Sequence, residues 1–343
     1  INVVPGIGIT VGVLALVDFD KPNFALLEHF DWWGLASMAG FLGSLEYVLE
    51  EGPRNDWLQD ESIFFFAVVC AVSAVAFFWR VLTAKEPIVD IRAFTDRNFA
   101  LGSMFSFCVG IGLYGLTYIY PRYLAEVRGY SALMIGETMF VSGIAMFATA
   151  PLVGKLMTKV DLRYLIAAGL IIFAIGSWQM TWITRDYDFY ELLWPQVFRG
   201  VGMMLAMVPV NNIALGTLPP ERIKNASGLF NLTRNLGGAV GLALINTILD
   251  NRTDLHIVRL QERVNWGNAT AVETLNMLTQ KFQGMGNASL MALKQLSMIV
   301  HRQAVVMSFG DAFFVLTLFY LGLSTLVFFV NKPNMTGAPS DAH

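Results

Sequence analysis

The sequence predicts an all-α polytopic membrane protein, and three observations support that fold class. Of the 343 residues, 55% are hydrophobic and only 14% are charged, whereas a soluble protein carries about 25% charged residues. The mean hydropathy is +0.55. Apolar runs of about 20 residues, the length that a helix needs to cross a bilayer, recur along the chain. The net charge of −3 argues against nucleic acid as a partner.

Hydropathy predicts nine membrane spans. Most of the connections between them are short, so successive spans should run antiparallel. The predicted spans cover residues 3–17, 32–49, 63–82, 99–124, 133–157, 162–183, 192–218, 226–249 and 312–330.

The seventh and eighth spans carry unusual polar content for membrane helices. Arg199 and Arg234 lie well inside these runs. Because a charge at membrane depth costs at least about 2.5–3.5 kcal/mol on insertion scales, such a residue normally faces protein or a water-filled cavity. We therefore expect both guanidinium groups to line an aqueous cavity between helices. The same two spans hold the amides of Asn211, Asn212, Asn231, Asn235 and Asn246.

Basic residues are unevenly distributed between the alternate connections, which indicates the orientation. Nine Lys and Arg residues lie in one set of connections and four in the other. Because cytoplasmic loops carry the excess of Lys and Arg, we place the richer set and the C-terminus in the cytoplasm. Lys21 and Lys332 fall on the same side. The richer set is Arg80, Lys85, Arg92, Arg97, Lys155, Lys159, Arg163, Arg222 and Lys224, and the poorer set is Arg54, Arg122, Arg128 and Arg185.

In this orientation, the long connection before the last span, residues 251–308, lies on the outer side of the membrane and forms an outer segment. Residues 253–264 and 289–306 show apolar side chains at helical spacing, which predicts two short amphipathic helices. These helices could form a cap packed on the outer mouth of the protein or a docking surface for another protein. Asp311 is expected at the outer start of the last helix.

Pairs of glycines four residues apart occur in two spans. Gly8 and Gly12 form one pair, and Gly237 and Gly241 form the other. This spacing lets two helix backbones approach closely. It is also frequent by chance in glycine-rich membrane helices, so it is weak evidence by itself.

Two short motifs accompany the sixth and seventh spans. Gly154, Asp161 and Arg163 lie in and beside the connection that precedes the sixth span. An acidic residue beside basic ones at helix ends can form a charge pair between two helices that breaks when the helices move. Ordinary enrichment of basic residues in a cytoplasmic loop explains the same pattern equally well. The second motif, Arg-Gly-Val-Gly, begins at Arg199 and Gly200 in the seventh span.

A third motif in the eighth span makes a family resemblance specific. It comprises Asn231, Arg234, Gly237, Gly238 and Gly241. In order and spacing, the three motifs resemble those in the second half of a major facilitator superfamily transporter, a fold built from inverted repeats. The loop motif resembles a degenerate copy of the G-x-x-x-D-R-x-G loop of the family. The glycine-rich motif resembles the antiporter motif of the fifth helix of such a half.

The sequence is most similar to the fourteen-helix drug:proton antiporters of the EmrB/QacA type, and the similarity covers nearly the whole chain. Residues 87–90, 218–222, 231–234 and 251–252 carry it. The resemblance implies a major facilitator fold that lacks about five N-terminal helices. The chain would then be truncated at its N-terminus, and its nine spans would be helices six to fourteen.

The resemblance also implies a division of the chain into five regions. Residues 1–20 would hold the last helix of the N-terminal bundle, 21–98 two extra central helices and a cytoplasmic linker, 99–249 the helices of the C-terminal bundle, 250–311 a periplasmic segment with amphipathic helices, and 312–343 the last helix and a cytoplasmic tail.

The function implied by the resemblance is proton-coupled multidrug efflux of hydrophobic or amphipathic compounds across the bacterial inner membrane. The chain would belong to the inner-membrane permease of a tripartite pump. Its partners would be protons, a periplasmic adaptor (a membrane fusion protein) and an outer-membrane channel. By resemblance, the main proton-coupling carboxylate belongs to a first helix that this sequence does not contain.

Candidate substrate-binding residues lie on the fourth and seventh spans, in helices that line the transport cavity by resemblance. Flat aromatic rings and flexible Met side chains suit ligands of varied shape because they can repack around each one. Helix packing and interfacial anchoring are the alternative roles. The candidates are Tyr114, Tyr118, Met203, Met207, Asn211 and Asn212.

The sequence leaves open the roles of three charged residues within the predicted spans. Arg234 lies about nine residues, or about 13 Å, inside its span, too deep for its side chain to reach the membrane surface easily. Its partner could be a backbone carbonyl or a Glu such as Glu46, and a role in proton coupling is the alternative. Glu137 is expected in a solvated or vestibule position. Arg199 and Glu137 are also charged where the resembled branch has no charge.

Two other functions compete with multidrug efflux. A carrier of the same fold could export one metabolite or siderophore. A polytopic membrane enzyme is more remote, because His29, His256, His301 and His343 form no ligand cluster and no nucleophilic triad is apparent. No phosphate-binding loop is found. Two cysteines within apolar runs predict neither a disulfide framework nor a metal site. We therefore predict no cofactor and no catalytic residue.

Overall fold

A computed structural model of the chain describes residues 3–16, 31–55, 57–84, 88–89, 91–284 and 286–330. Regular structure in these residues is helical throughout, as the sequence predicts. The ten α-helices are α1 (Val3–Leu16), α2 (Trp32–Glu51), α3 (Glu61–Thr83), α4 (Arg97–Tyr123), α5 (Ala132–Met157), α6 (Leu162–Gln179), α7 (Phe189–Gly216), α8 (Pro220–Arg263), α9 (Ala269–Lys281) and α10 (Ala288–Leu326).

Each of the nine predicted spans coincides with a helix. In the described part of the chain, seven helices are long and apolar enough to cross a membrane: α3 to α8 and α10. The described part of α1 has 14 residues, and α2 carries three glutamates, Glu46, Glu50 and Glu51, in its C-terminal half. The predicted basic residues Lys21, Lys85 and Lys332, and the tail after Val330, lie outside the described residues.

Six of these helices form one bundle around a continuous apolar core. In it, α7 packs against α5 and α6, α4 packs against α7 and α8, and α10 packs against α6 and α8. Large aromatic side chains fill the interior, and the buried Tyr320 hydroxyl on α10 donates to the carbonyl oxygen of Cys108 on α4 at 2.6 Å. The hairpin of α2 and α3 contacts the bundle through α2, which packs against α8.

Glycines allow α4 and α8 to cross with their backbones in contact. A Cβ atom at Gly110 would overlap the carbonyl oxygen of Arg234, and one at Gly237 would overlap that of Phe107. At Gly241, a Cβ atom would lie 2.8 Å from the α4 backbone. The glycine spacing in α8 therefore has the close-packing role that the sequence predicts.

Glycines also allow α7 to pack closely against the backbones of its neighbours. A Cβ atom at Gly202 would lie 2.5 Å from a backbone nitrogen of α6, and one at Gly200 would lie 2.5 Å from the carbonyl oxygen of Ser142 on α5. The other predicted pair behaves differently. Among the described residues, no atom lies within 4 Å of a Cβ position at Gly8 or Gly12.

The outer segment differs from the two separate short helices expected from the sequence. Residues 253–264 are almost entirely the end of α8, which has 44 residues, and residues 289–306 are the beginning of α10, which has 39. Neither Pro nor Gly interrupts residues 249–253, so α8 continues beyond the apolar run. Asp311 consequently lies inside α10. The intervening helix α9, which packs against α10, was not anticipated.

The connections between spans sort into two ends of the bundle, as the charge pattern predicts. At one end, the guanidinium of Arg97 donates to the carbonyl oxygen of Phe329 at 3.0 Å, and that of Arg163 donates to Val330 at 3.1 Å. At the other end, Arg128 donates to the carbonyl oxygen of Arg185 at 3.1 Å. Which end faces the cytoplasm stays a prediction.

A buried carboxylate ties the hairpin of α2 and α3 together at its base. Asp31 caps α2 by accepting from the Gly34 amide at 2.9 Å, and the same oxygen accepts from Arg80 Nε on α3 at 2.8 Å. Burial acts to raise the pKa of Asp31, but the Gly34 amide and the Arg80 guanidinium outweigh it, so this pKa lies below its ordinary value.

The glycine crossing predicts opposite effects for two substitutions on α8. Gly→Ala favours an isolated helix by up to about 1 kcal/mol. We expect Gly228→Ala, where no atom lies within 4 Å of the new Cβ, to leave stability unchanged or to raise it. Gly237→Ala should lower stability by about 1–3 kcal/mol because α4 must move away. Thermal unfolding of the purified protein in detergent measures both, and equal effects would contradict the role of the crossing.

The capping carboxylate predicts a pH-dependent contribution to stability. Because the pKa of Asp31 is lower in the folded protein, its contribution is present above the unfolded pKa of about 3.9 and is lost as pH falls through the folded value. We expect Asp31→Asn to lower the melting temperature at neutral pH and to converge with the unsubstituted protein in acid. A difference that is the same at all pH values would rule out the ionic contribution.

Candidate functional site

Two tyrosines predicted to bind substrate lie on α4 and face α8. The Tyr114 hydroxyl donates to the Asn235 side-chain oxygen at 2.9 Å, and its ring packs against Gly238, where a Cβ atom would overlap it. The Tyr118 hydroxyl donates to the side-chain oxygen of Asn246 at 2.9 Å. Tyr114 and Asn235 are exposed, whereas Tyr118 is half-buried and Asn246 is buried. The two pairs form a polar seam between the helices.

An arginine extends this seam toward the C-terminal end of α4. The Arg122 guanidinium donates to the Asn246 oxygen at 2.8 Å and to the Tyr118 hydroxyl at 3.2 Å. Its Nε donates to Glu126 at 2.8 Å, so its charge is compensated. The sequence analysis placed Arg122 among the loop charges. The spacing of four residues from Tyr114 through Tyr118 and Arg122 to Glu126 was the signal that could have identified this seam.

Arg199 on α7 is buried among protein groups in the described structure, whereas the sequence suggested that it lines a water-filled cavity. Its guanidinium donates to the side-chain oxygen of buried Gln196 at 3.1 Å and to the hydroxyl of Thr117 on α4 at 2.9 Å. It also lies 5.6 Å from the centre of the buried Tyr120 ring. Among the described residues, no ion pair involves Arg199. Thr117 and Tyr120 on α4 therefore provide polar and aromatic contacts that lipid hydrocarbon could not provide.

Arg234 on α8 is half-buried and bonds only within its own motif in the described part of the chain. Its guanidinium donates to the Asn231 side-chain oxygen at 2.6 Å. Neither the backbone carbonyl nor the Glu that the sequence analysis considered is bonded to Arg234 among the described residues. Glu46 instead lines a cleft of about 510 Å³ between α2, α4 and α8, together with Glu50 and Asn235.

Among the described residues, no hydrogen bond joins the predicted residues of α7 to the two tyrosines. Met203 is buried, Met207 and Asn211 are half-buried, and Asn212 is exposed. The Asn212 amide donates to the Val208 carbonyl oxygen of its own helix at 3.0 Å. A single pocket built from all six residues stays a prediction.

The loop motif forms a helix cap with a longer-range contact from its arginine. Asp161 caps α6 by accepting from the Arg163 amide at 3.0 Å, and the Arg163 Nε lies 3.5 Å from the same oxygen. Arg163, not Asp161, contacts another element through Val330. Gly154 is exposed, with no atom within 4 Å of its Cβ position among the described residues.

A second cluster of titratable groups lies at the same end of the bundle as Arg122 and was missed by the sequence analysis. His256 on α8 is buried, and its Nε2 lies 2.9 Å from the carboxylate of Asp311 on α10. Nearby, α4, α8 and α10 enclose a cavity of about 500 Å³, whose titratable lining residues are Arg122, Glu126, Asp250, Asp254 and His301.

Comparison with known proteins identifies relatives along nearly the whole chain. Residues 60–242 match the Major Facilitator Superfamily profile. The colistin resistance protein EmrB of Acinetobacter baumannii is 38% identical over 335 residues, which are 97% of this chain and 65% of that protein. The multidrug export protein EmrB of Escherichia coli K12 is 31% identical over 89% of this chain and 59% of its own length.

A third relative is named for a different resistance. The fatty acid resistance protein FarB of Neisseria gonorrhoeae is 28% identical over 90% of this chain and 60% of its own length. The chain thus spans no more than 65% of any of these three relatives.

The seam between α4 and α8 predicts a measurable coupling. Asn246→Leu would leave the Tyr118 hydroxyl and one Arg122 donor without their partner, and we expect it to lower stability by about 1–2 kcal/mol. In the Asn246→Leu background, Tyr118→Phe should lower stability by less than it does in the unsubstituted protein, as measured by a double-mutant cycle of thermal unfolding. Thr247→Val, which affects a hydroxyl bonded within α8, is the matched control. Strict additivity would contradict the coupling.

Proposed function

This chain belongs to the Major Facilitator Superfamily, and from that premise we propose that it forms the C-terminal bundle of a proton-coupled exporter of hydrophobic or amphipathic compounds. In this proposal the bundle is part of the permease in the bacterial inner membrane, and the C-terminus is cytoplasmic. The excess of basic residues in one set of connections supports that orientation.

The arrangement of polar groups at membrane depth is the observation that carries the proposal. Arg199 and Arg234, with the amides of Asn235 and Asn246, lie on helices that otherwise are apolar enough to cross a bilayer. Ionisable and amide side chains are costly there and commonly mark the path of a substrate or ion. The exposed ring of Tyr114 adds a flat apolar surface on the side of α4 that faces α8.

The names of the relatives support export of amphipathic molecules as the activity. One is named for resistance to colistin, one for multidrug export and one for resistance to fatty acids. Those properties belong to the relatives. Colistin and fatty acids both combine an apolar chain with charged groups, a character that suits a surface of aromatic rings and amides.

Coupling to protons and assembly into a tripartite pump are further parts of the proposal. Transport in this fold is driven by ion gradients and proceeds by rocking of one bundle against the other. The glycine contacts between helices suit motion of the bundle as a single unit. The outer ends of α8 and α10, with α9 packed against α10, would give a periplasmic adaptor and outer-membrane channel a helical surface to contact.

Expression of the complete open reading frame in a host that lacks its own drug exporters tests the proposal. We expect lower accumulation of an amphipathic dye and lower susceptibility to amphipathic antimicrobials. Collapse of both the pH gradient with nigericin and the membrane potential with valinomycin should abolish the difference, because proton entry supplies the energy.

Two outcomes would contradict this function. Export that persists after both the pH gradient and the membrane potential are collapsed would exclude proton coupling. Unchanged drug susceptibility on deletion of the gene, with accumulation of one metabolite in the cell, would instead establish a carrier specific for that metabolite.

A further inference from the structure

Arg199 carries a positive charge inside the bundle, and its partners among the described residues are neutral. The residue is 7% exposed. Its guanidinium contacts the Gln196 amide, the Thr117 hydroxyl and the face of the Tyr120 ring. By contrast, Arg122 pairs with a carboxylate 2.8 Å away. A desolvated charge is unfavourable unless an opposite charge compensates it. Among the described residues, no such opposite charge pairs with Arg199.

The carboxylates of the neighbouring helices are directed elsewhere. Glu137 on α5 is exposed and lies two residues, or about 200° around the helix, from Met139, which contacts Arg199. Glu191, two turns earlier on α7, accepts from the Asp188 amide at 2.9 Å as part of the helix cap. An internal counter-charge for Arg199 is therefore not provided by the nearest acidic residues of α5 and α7.

The guanidinium group lies directly behind an exposed face of α4. Thr117, which accepts from Arg199 Nη2 at 2.9 Å, is itself exposed, as is Tyr114 one turn away. The Thr117 hydroxyl donates its proton to the Leu113 carbonyl oxygen at 2.5 Å. Its oxygen is thereby oriented to accept from Arg199, and this contact holds the guanidinium toward the exposed face.

We propose that Arg199 binds the carboxylate or sulfonate of an anionic amphipathic substrate that lies against the exposed face of α4, with Thr117 as the positioning residue. The proposal rests on the proposed export function and names a substrate class for it. A guanidinium matches the geometry of a planar carboxylate through paired N–H donors. The rings of Tyr114 and Tyr118 would contact the apolar part of the molecule. Arg199 is then a residue that favours anionic over cationic substrates.

Equilibrium binding of two radiolabelled probes to the purified product of the complete open reading frame tests this assignment. Laurate and dodecyltrimethylammonium share an alkyl chain of similar length and carry opposite charges. We expect Arg199→Gln to weaken laurate binding about tenfold or more and to change dodecyltrimethylammonium binding by no more than about twofold. Arg199→Lys keeps the charge without the paired donors, so its laurate affinity should be intermediate.

Further variants separate positioning from charge. Thr117→Val should weaken laurate binding, and Thr117→Ser, which retains the hydroxyl, should restore it. Arg259→Gln removes an exposed positive charge from the outer end of α8 and is the matched control that should leave both affinities unchanged. Thermal unfolding of each variant reports whether it is folded.

Equal weakening of both probes by Arg199→Gln in a folded protein would overturn the proposal and assign Arg199 a structural role. So would an unsubstituted protein that binds laurate no better than dodecyltrimethylammonium. These measurements do not require transport. If binding behaves as expected but cells export neither compound, the export function fails and the anion-binding role of Arg199 stands.

Discussion

The backbone contact between α4 and α8 determines which polar side chains can meet in this bundle. Gly110 and Gly237 remove the side chains that would keep the two helices apart. Two helices in such close contact have little freedom to rotate or slide past each other. Tyr114 is thereby fixed against Gly238 and Asn235, and Tyr118 is fixed against Asn246. The polar seam is therefore a consequence of the glycine positions.

Three arginines on the helices of this bundle have different electrostatic environments. Arg122 is neutralised by Glu126 and fixed by Asn246. Arg234 is half-buried and bonds to the amide of Asn231. Arg199 is buried among neutral groups. Since leaving a buried charge without its partner typically costs about 3–5 kcal/mol, Arg199 is the one whose retention is hardest to explain by stability.

The two ends of the bundle are closed by different chemistry. At one end, Arg97 and Arg163 donate to the carbonyl oxygens of Phe329 and Val330, just after α10, which joins the starts of α4 and α6 to the end of α10. At the other end, α8 and α10 are linked through His256 and Asp311. These contacts join parts of the chain that lie far apart in the sequence.

The sequence was sufficient to predict the positions of the spans, the alternation of the connections between two ends of the bundle and the close approach at Gly237 and Gly241. These features depend on hydropathy, charge and side-chain size, which are local properties of the chain. It could not determine where α8 ends, since no helix breaker follows the apolar run. Nor could it show that Arg199 is buried against Thr117. That contact depends on the rotation of α4 relative to α7, and a shift of one residue turns a side chain by about 100°. Only tertiary packing fixes that angle.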